Sequence, residues 1–225
     1  MATSGTATFD LDIIEIIEEA YEQAGAELRS GYDLKTARRS LNLLALDWAN
    51  RGYNLWTVEQ GTVAMVAGTT TYTLPADTID IVEMVLRTTT GSTYSDVSIA
   101  RIGMPVYAAI PNKAATGRPV QVWIDRQTTP RMFVWPVPTG TTYSIIYWRM
   151  RRIQDVGTTG SLNADIPQRF LPCLIAGLAY KLAQKRTDLV DRMPMLKSEY
   201  EEKWDEASTE DREKVTLRLV PARAA

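Results

Sequence analysis

Apolar residues recur with a helical period at both ends of this chain and with a strand period between them, which restricts it to a helical part interrupted by a β-rich one. Ile13, Ile16, Ile17, Ala20, Tyr21 and Ala24 fall on one face of a helix expected from Asp10 to about Ala24. Acidic residues crowd its first turns and Gly25 stops it. A second helix, with Asp33 as N-cap and running to Asn50, carries the stripe Leu34, Ala37, Leu41, Leu44, Ala45 and Trp48, and Gly52 ends it. The short link between them favours an antiparallel pair.

From Leu55 the period changes. Thr62 to Val66, Thr71 to Leu74, Ile79 to Leu86, the alternation through Val120, Val122 and Ile124, Met132 to Trp135 and Tyr143 to Met150 read as strands, with Pro136, Pro138 and Gly140 in a turn. Arg101 to Ile110 is expected to form a short helix stopped by Pro111. Helix returns where Asp165 caps a segment with Pro167 in its first turn and Leu171, Leu174, Ile175, Leu178 and Leu182 on one side. A last helix from about Asp191 to Ser208 carries Leu196, Tyr200 and Trp204. The expectation is an α+β fold: an N-terminal helical pair (9–54), an inserted β-rich domain of about six or seven strands, sandwich or barrel-like (55–153), C-terminal helices completing a bundle (165–208), and an extended C-terminal tail (209–225).

Composition narrows the function. The formal net charge is −2 and the pI about 5.4, where a dedicated nucleic-acid binder carries a basic excess. No run of about 18 apolar residues is present to cross a membrane. Met1 to Thr8 are small and polar, so no secretory signal is expected. The single cysteine, Cys173, cannot close an internal disulfide, and a reducing cytoplasm suits its folding. Histidine is absent, which removes the usual general base, every Ser-His or Cys-His pair and all His-based zinc sites. There is no phosphate loop, dinucleotide fingerprint or CxxC pair, and no cofactor is expected. Glu15 and Glu19 share a helical face with Glu18 beside them, which admits a glycosidase-like carboxylate pair. A solvated acid cluster complementing the helix dipole explains them more simply. Trp123, Phe133, Trp135, Tyr143, Tyr147 and Trp148 interleave with arginines, a pattern used for single-stranded nucleic acid but also by packed strands or subunit contacts.

Charge is partitioned along the chain. Residues 101–153 hold eight bases (Arg101, Lys113, Arg118, Arg126, Arg131, Arg149, Arg151 and Arg152) against one acid, Asp125. Residues 199–214 hold eight acids against three bases, and Asp10 to Glu27 contribute seven acids. A basic β lobe and acidic helices suit head-to-tail contact between copies, with Arg118, Arg126, Arg149, Arg151 and Arg152 facing Glu201, Glu202 and Asp205 of a neighbour; ordinary solvated faces are the alternative. After a charged link, Val215, Leu217, Leu219 and Val220 follow a strand-like pattern ended by Pro221. Such a segment either closes the protein's own sheet or adds to a partner's sheet edge.

The run Gly31-Tyr32-Asp33-Leu34, Ala37 through Leu44, Trp48 through Gly52 and Leu55-Trp56 resembles the N-terminal helices of head-to-tail adaptors of short-tailed bacteriophages, the tail accessory factors or tail tubular protein A type. Tyr72-Thr73-Leu74-Pro75, Ile110 through Lys113, Gly117-Arg118-Pro119, Asp125-Arg126 and Trp135 through Pro138 are similar to pieces of the same proteins in the same order, and the similarity touches most of residues 10–205. The resemblance implies a non-enzymatic virion protein at the head-tail junction, assembled in the host cytoplasm as a homo-oligomeric ring of about twelve copies. It implies portal protein above, a downstream tail or nozzle protein below, and genomic DNA passing through the lumen during ejection without sequence-specific binding. It also implies a C-terminal extension, here residues 209–223, that docks on the portal. Acidic helices facing the lumen would let DNA slide without sticking. Another virion neck or tail-tube component, or a carboxylate-based cell-wall hydrolase, is the alternative function.

Overall fold

A computed structural model describes residues 5–6, 9–52, 55–157 and 163–212. The tail segment with Val215, Leu217, Leu219, Val220 and Pro221 lies outside the described residues. The fold is α+β, and the chain divides into two compact units: Met1–Leu55 with Gln154–Ala225, and Trp56–Ile153.

In the first unit, helix α1 (Ile13–Ala24) begins at Asp12, whose carboxylate accepts the Ile14 and Glu15 N–H groups at 2.9 Å each while Glu15 Oε2 accepts the Asp12 N–H at 2.9 Å. This reciprocal cap satisfies backbone donors that have no partner inside the helix. Gly25 ends α1 at φ 82°, left-handed backbone that glycine adopts without steric cost. Helix α2 (Gly31–Arg51) starts earlier than the sequence suggests. Ser30, not Asp33, is its N-cap: the Ser30 hydroxyl accepts the Asp33 N–H at 3.3 Å, leaving Asp33 in the first turn where its charge favours the helix dipole.

Asp165 is likewise not a helix cap. Its carboxylate accepts the Gln154 N–H at 3.0 Å, and a 3-10 turn (Gln168–Phe170) leads into helix α4, which begins at Leu171. Here α3 denotes the short helix Met104–Ala108 of the other unit, and α4 spans Leu171–Ala183. Nine of the thirteen α4 residues are buried, which marks it as the central helix, and it packs against α1, α2 and α5 (Met193–Glu210). Gly177 permits the closest approach. A Cβ there would stand 2.8 Å from the Tyr200 ring and 2.9 Å from Leu44.

Asp211 closes this unit at the end of α5. Its buried carboxylate accepts the Leu55 N–H at 2.9 Å and pairs with Arg169. Asp211→Ala is expected to cost about 1–2 kcal/mol, because a shielded backbone donor and an arginine lose their acceptor. A urea titration that leaves the midpoint within the scatter of ordinary surface substitutions would show that this cap does not stabilise the unit.

The second unit is a β-sandwich. Strands β1 (Val58–Ala64), β8 (Tyr143–Arg151), β3 (Thr78–Thr90) and β4 (Thr93–Ser98) form one antiparallel sheet in that order. Strands β2 (Thr71–Thr73), β7 (Arg131–Trp135), β6 (Gln121–Asp125) and β5 (Ala100–Ile102) form the other, with β5 parallel to β6. The inner faces share one core, including Leu74, Ile81, Leu86, Val122, Met132 and Ile145. Two register shifts against β8, between Thr78 and Asp80 and between Ile81 and Glu83, reset the alternation of β3. Ile81, Met84 and Leu86 therefore all reach the core despite their uneven spacing.

The described residues hold eight strands, more than the sequence pattern suggests. The extra ones are β4, exposed along its whole length, and β5. The expected helix from Arg101 is short for the same reason: Ala100–Ile102 pair with β6, and only Met104–Ala108 is helical.

Candidate interaction surfaces

The arginines of the β unit fall into two groups. Arg149 lies on β8 with its side chain 8% exposed. Its guanidinium donates to Asp77 Oδ1 at 2.6 Å, Thr78 Oγ1 at 3.0 Å and Glu59 Oε2 at 3.1 Å. Arg151, also largely covered, approaches Glu59 at 3.6 Å. These two are engaged within their own chain. Arg126 is exposed and 3.5 Å from Asp80, which Arg101 holds more closely at 2.7 Å. Arg118 and Arg152 are exposed, and no ion pair joins them to another described residue.

Hydrogen bonding from Arg149 holds the Asp77 carboxyl below the usual carboxylate range. A depressed folded pKa makes this pair stabilising above the ordinary carboxylate pKa of about 4, and that contribution is lost as pH falls through the folded value. Stability measured between pH 6 and 2 should therefore fall less steeply in Arg149→Met than in the wild type. Parallel curves would show that Asp77 gains nothing from Arg149.

The acids of the helical unit are also divided. Glu201 forms a paired contact with Arg51 at 3.0 and 3.1 Å, and the Arg51 guanidinium lies over the Tyr200 and Trp204 rings at 4.8 and 5.0 Å. Glu202 and Asp205 face solvent on α5, as do Glu18, Glu19 and Glu22 on α1. Glu15 belongs to the α1 cap, a structural task that accounts for its place in the acidic cluster.

The interleaved aromatics mostly meet one another. Tyr147 is in the sandwich core. Trp123 and Phe133 stack at 4.7 Å, and Tyr107 of α3 lies 5.2 Å from Trp123. Trp135 Nε1 donates to the Asn112 carbonyl at 3.0 Å.

A feature without a sequence signal is a groove of about 1090 Å³ in the helical unit, formed by α1, α4 and α5. Phe9, Leu171, Pro172 and Ile175 supply apolar surface, and Phe9 is 73% exposed. Glu19, Glu22 and Glu199 make the rim acidic, and the cation beside them, Lys203, is paired with Glu206 at 3.1 Å. Ile175 sits on the apolar side of its helix as expected, but Phe9 and Glu199 are brought to it only by packing. The Gln168 side chain fixes Phe9 there by donating to its carbonyl at 2.6 Å. Cys173 points elsewhere: it is buried, and burial pushes its thiol up to about 12, which leaves it inert at neutral pH.

Among the described residues no group of three or more His, Cys, Asp or Glu side chains is placed to hold a metal ion, and no helix is long and apolar enough to cross a membrane. No curated protein matches the chain. The sequence profile of the SU10 adaptor protein family matches residues 4–223 and so runs through both helical segments and every strand of the sandwich. With nearly the whole chain matched, the protein belongs to the SU10 adaptor protein family and is a structural phage adaptor, a virion component rather than an enzyme.

Proposed function

We propose that this adaptor is a head-to-tail connector of the short-tailed type, a ring of about twelve copies between portal and tail through which DNA passes. The observation that carries this reading is the division of exposed charge. Arg118, Arg126 and Arg152 face solvent on the β unit, while Glu202 and Asp205 face solvent on the helical unit. A surface with opposite charges on two patches is complementary to a copy of itself in a head-to-tail arrangement, the kind of contact that gives a ring when the rotation between copies closes. Glu201, Arg149 and Arg151 support the subunit from within. The remaining acids of α1 and α5 suit a channel wall, because DNA phosphates find no counter-charge to bind there.

Residues 213–225, with Val215, Leu217, Leu219, Val220 and Pro221, are the segment that docks on the portal, adding a strand to an exposed sheet edge; the tail starts later than residue 209, because Thr209 and Glu210 complete α5 and Asp211 closes the helical unit. A downstream tail or nozzle protein takes the opposite face of the ring. Assembly occurs in the host cytoplasm, and the finished ring sits at the head-tail junction. Deleting residues 213–225 is expected to weaken binding to purified portal rings by more than about 100-fold while the shortened chain stays folded, with its helix and strand content unchanged. Undiminished portal binding by the shortened chain would remove the docking-tail assignment.

A further inference from the structure

We propose that in the free subunit Leu217–Val220 of the chain's own C-terminal segment rest in the groove between α1, α4 and α5, and that docking on the portal draws them out. The release step rests on the portal-docking reading; the resting contact does not.

Reach supports an occupant from the same chain. Helix α5 passes the groove at Glu199 and Lys203 and continues to Glu210. Glu210 therefore lies about 10 Å beyond Lys203 at 1.5 Å per residue, and Arg212 follows two residues later. Leu217–Val220 follow Arg212 by five to eight residues, which span up to about 17–28 Å when extended. The segment is long enough to turn back to the level of Lys203.

Chemistry agrees with reach. Residues 214–225 carry Lys214, Arg218 and Arg223 and no acid. The groove rim offers Glu19, Glu22 and Glu199, with Lys203 already neutralised by Glu206. In an extended segment Leu217 and Leu219 fall on one face and Arg218 on the other. The two leucines then cover the floor of Phe9, Leu171 and Ile175 while Arg218 meets the rim. Phe9 and Ile175 would lose exposed apolar surface in the same step.

Cysteine pairing in the full-length chain tests this directly. Ile175→Cys with Leu219→Cys, oxidised mildly at low protein concentration, should give an intramolecular disulfide in most molecules, seen as faster migration without reductant. Cys173 serves as an internal control because it is buried and inert. Adding Glu19→Lys and Glu22→Lys should slow the crosslink several-fold. Gln168→Cys with Leu219→Cys gives a second pair at an exposed position of the same groove. Failure of both pairs to crosslink, or crosslinks found only between two copies, would overturn the resting contact. The oxidised chain should bind portal rings at least tenfold more weakly than the reduced one. Crosslinking with full portal binding would support the resting contact and overturn the docking-tail reading.

Discussion

Trp48→Ala is expected to destabilise the helical unit by about 3–5 kcal/mol, the range for emptying a large buried aromatic site. Trp48 is fully buried on α2, with ring centroids 5.7 Å from Phe170 and 5.2 Å from Trp204. Its indole N–H donates to the Tyr200 hydroxyl at 2.9 Å. That hydroxyl is itself buried and its pKa is pushed up to about 12, chiefly by burial, so it stays protonated and is left without its donor in the variant. The unpaired group adds about 1 kcal/mol. Folded domains hold only about 5–15 kcal/mol in reserve, so the variant should melt far earlier or fail to fold. Trp48→Phe should recover much of the packing but not the hydrogen bond, and should fall between the two. An alanine variant within about 1 kcal/mol of the wild type would mean that α2, α4 and α5 do not meet at this residue as described.

The second large effect is expected in the sandwich. Gly61 on β1 pairs with Tyr147 on β8, and a Cβ at Gly61 would lie 2.3 Å from the Tyr147 ring. The ring is only 4% exposed and belongs to the core. In Gly61→Val the ring must either leave the core, which forfeits about 1.5–3 kcal/mol of burial, or stay in place under strain of about 1–3 kcal/mol. The better strand propensity of valine offsets less than 1 kcal/mol of this. Pairing Gly61→Val with Tyr147→Ala supplies the check. The ring is then gone, so the double variant should lose clearly less than the two single losses added together. Strict additivity would contradict the placement of Tyr147 over Gly61.

Both effects matter for an adaptor because its function lies in holding surfaces at fixed positions. In the β unit, exposed Arg152 directly follows β8, which Gly61, Tyr147 and Arg149 hold in register against β1. The acidic groove stands on helices that Trp48 and Tyr200 hold together. Weakening either core should therefore reduce assembly without touching a contact residue.

The two helical ends and the β centre were legible in the sequence, because burial on one face imposes a period that is local and survives without coordinates. Ile13 through Ala24, the stripe from Ala37 to Trp48 and the alternation from Gln121 to Asp125 were readable for that reason; the ordered motifs, read separately, pointed to a phage adaptor, which the family match supports. What tertiary structure alone decided involves partners distant along the chain. Strand β5 exists because Ala100–Ile102 meet Gln121–Trp123 across some twenty intervening positions, and polar β4 because β3 offers it an edge. The bulges of β3 override its simple alternation, and Arg149 proved an internal tie because Asp77 and Glu59 converge on it. The groove is the clearest case: Phe9, Ile175 and Glu199 become neighbours only when three helices pack, and no periodicity within any one of them encodes that. Local pattern fixes which side of an element is apolar; only packing determines which apolar side remains uncovered.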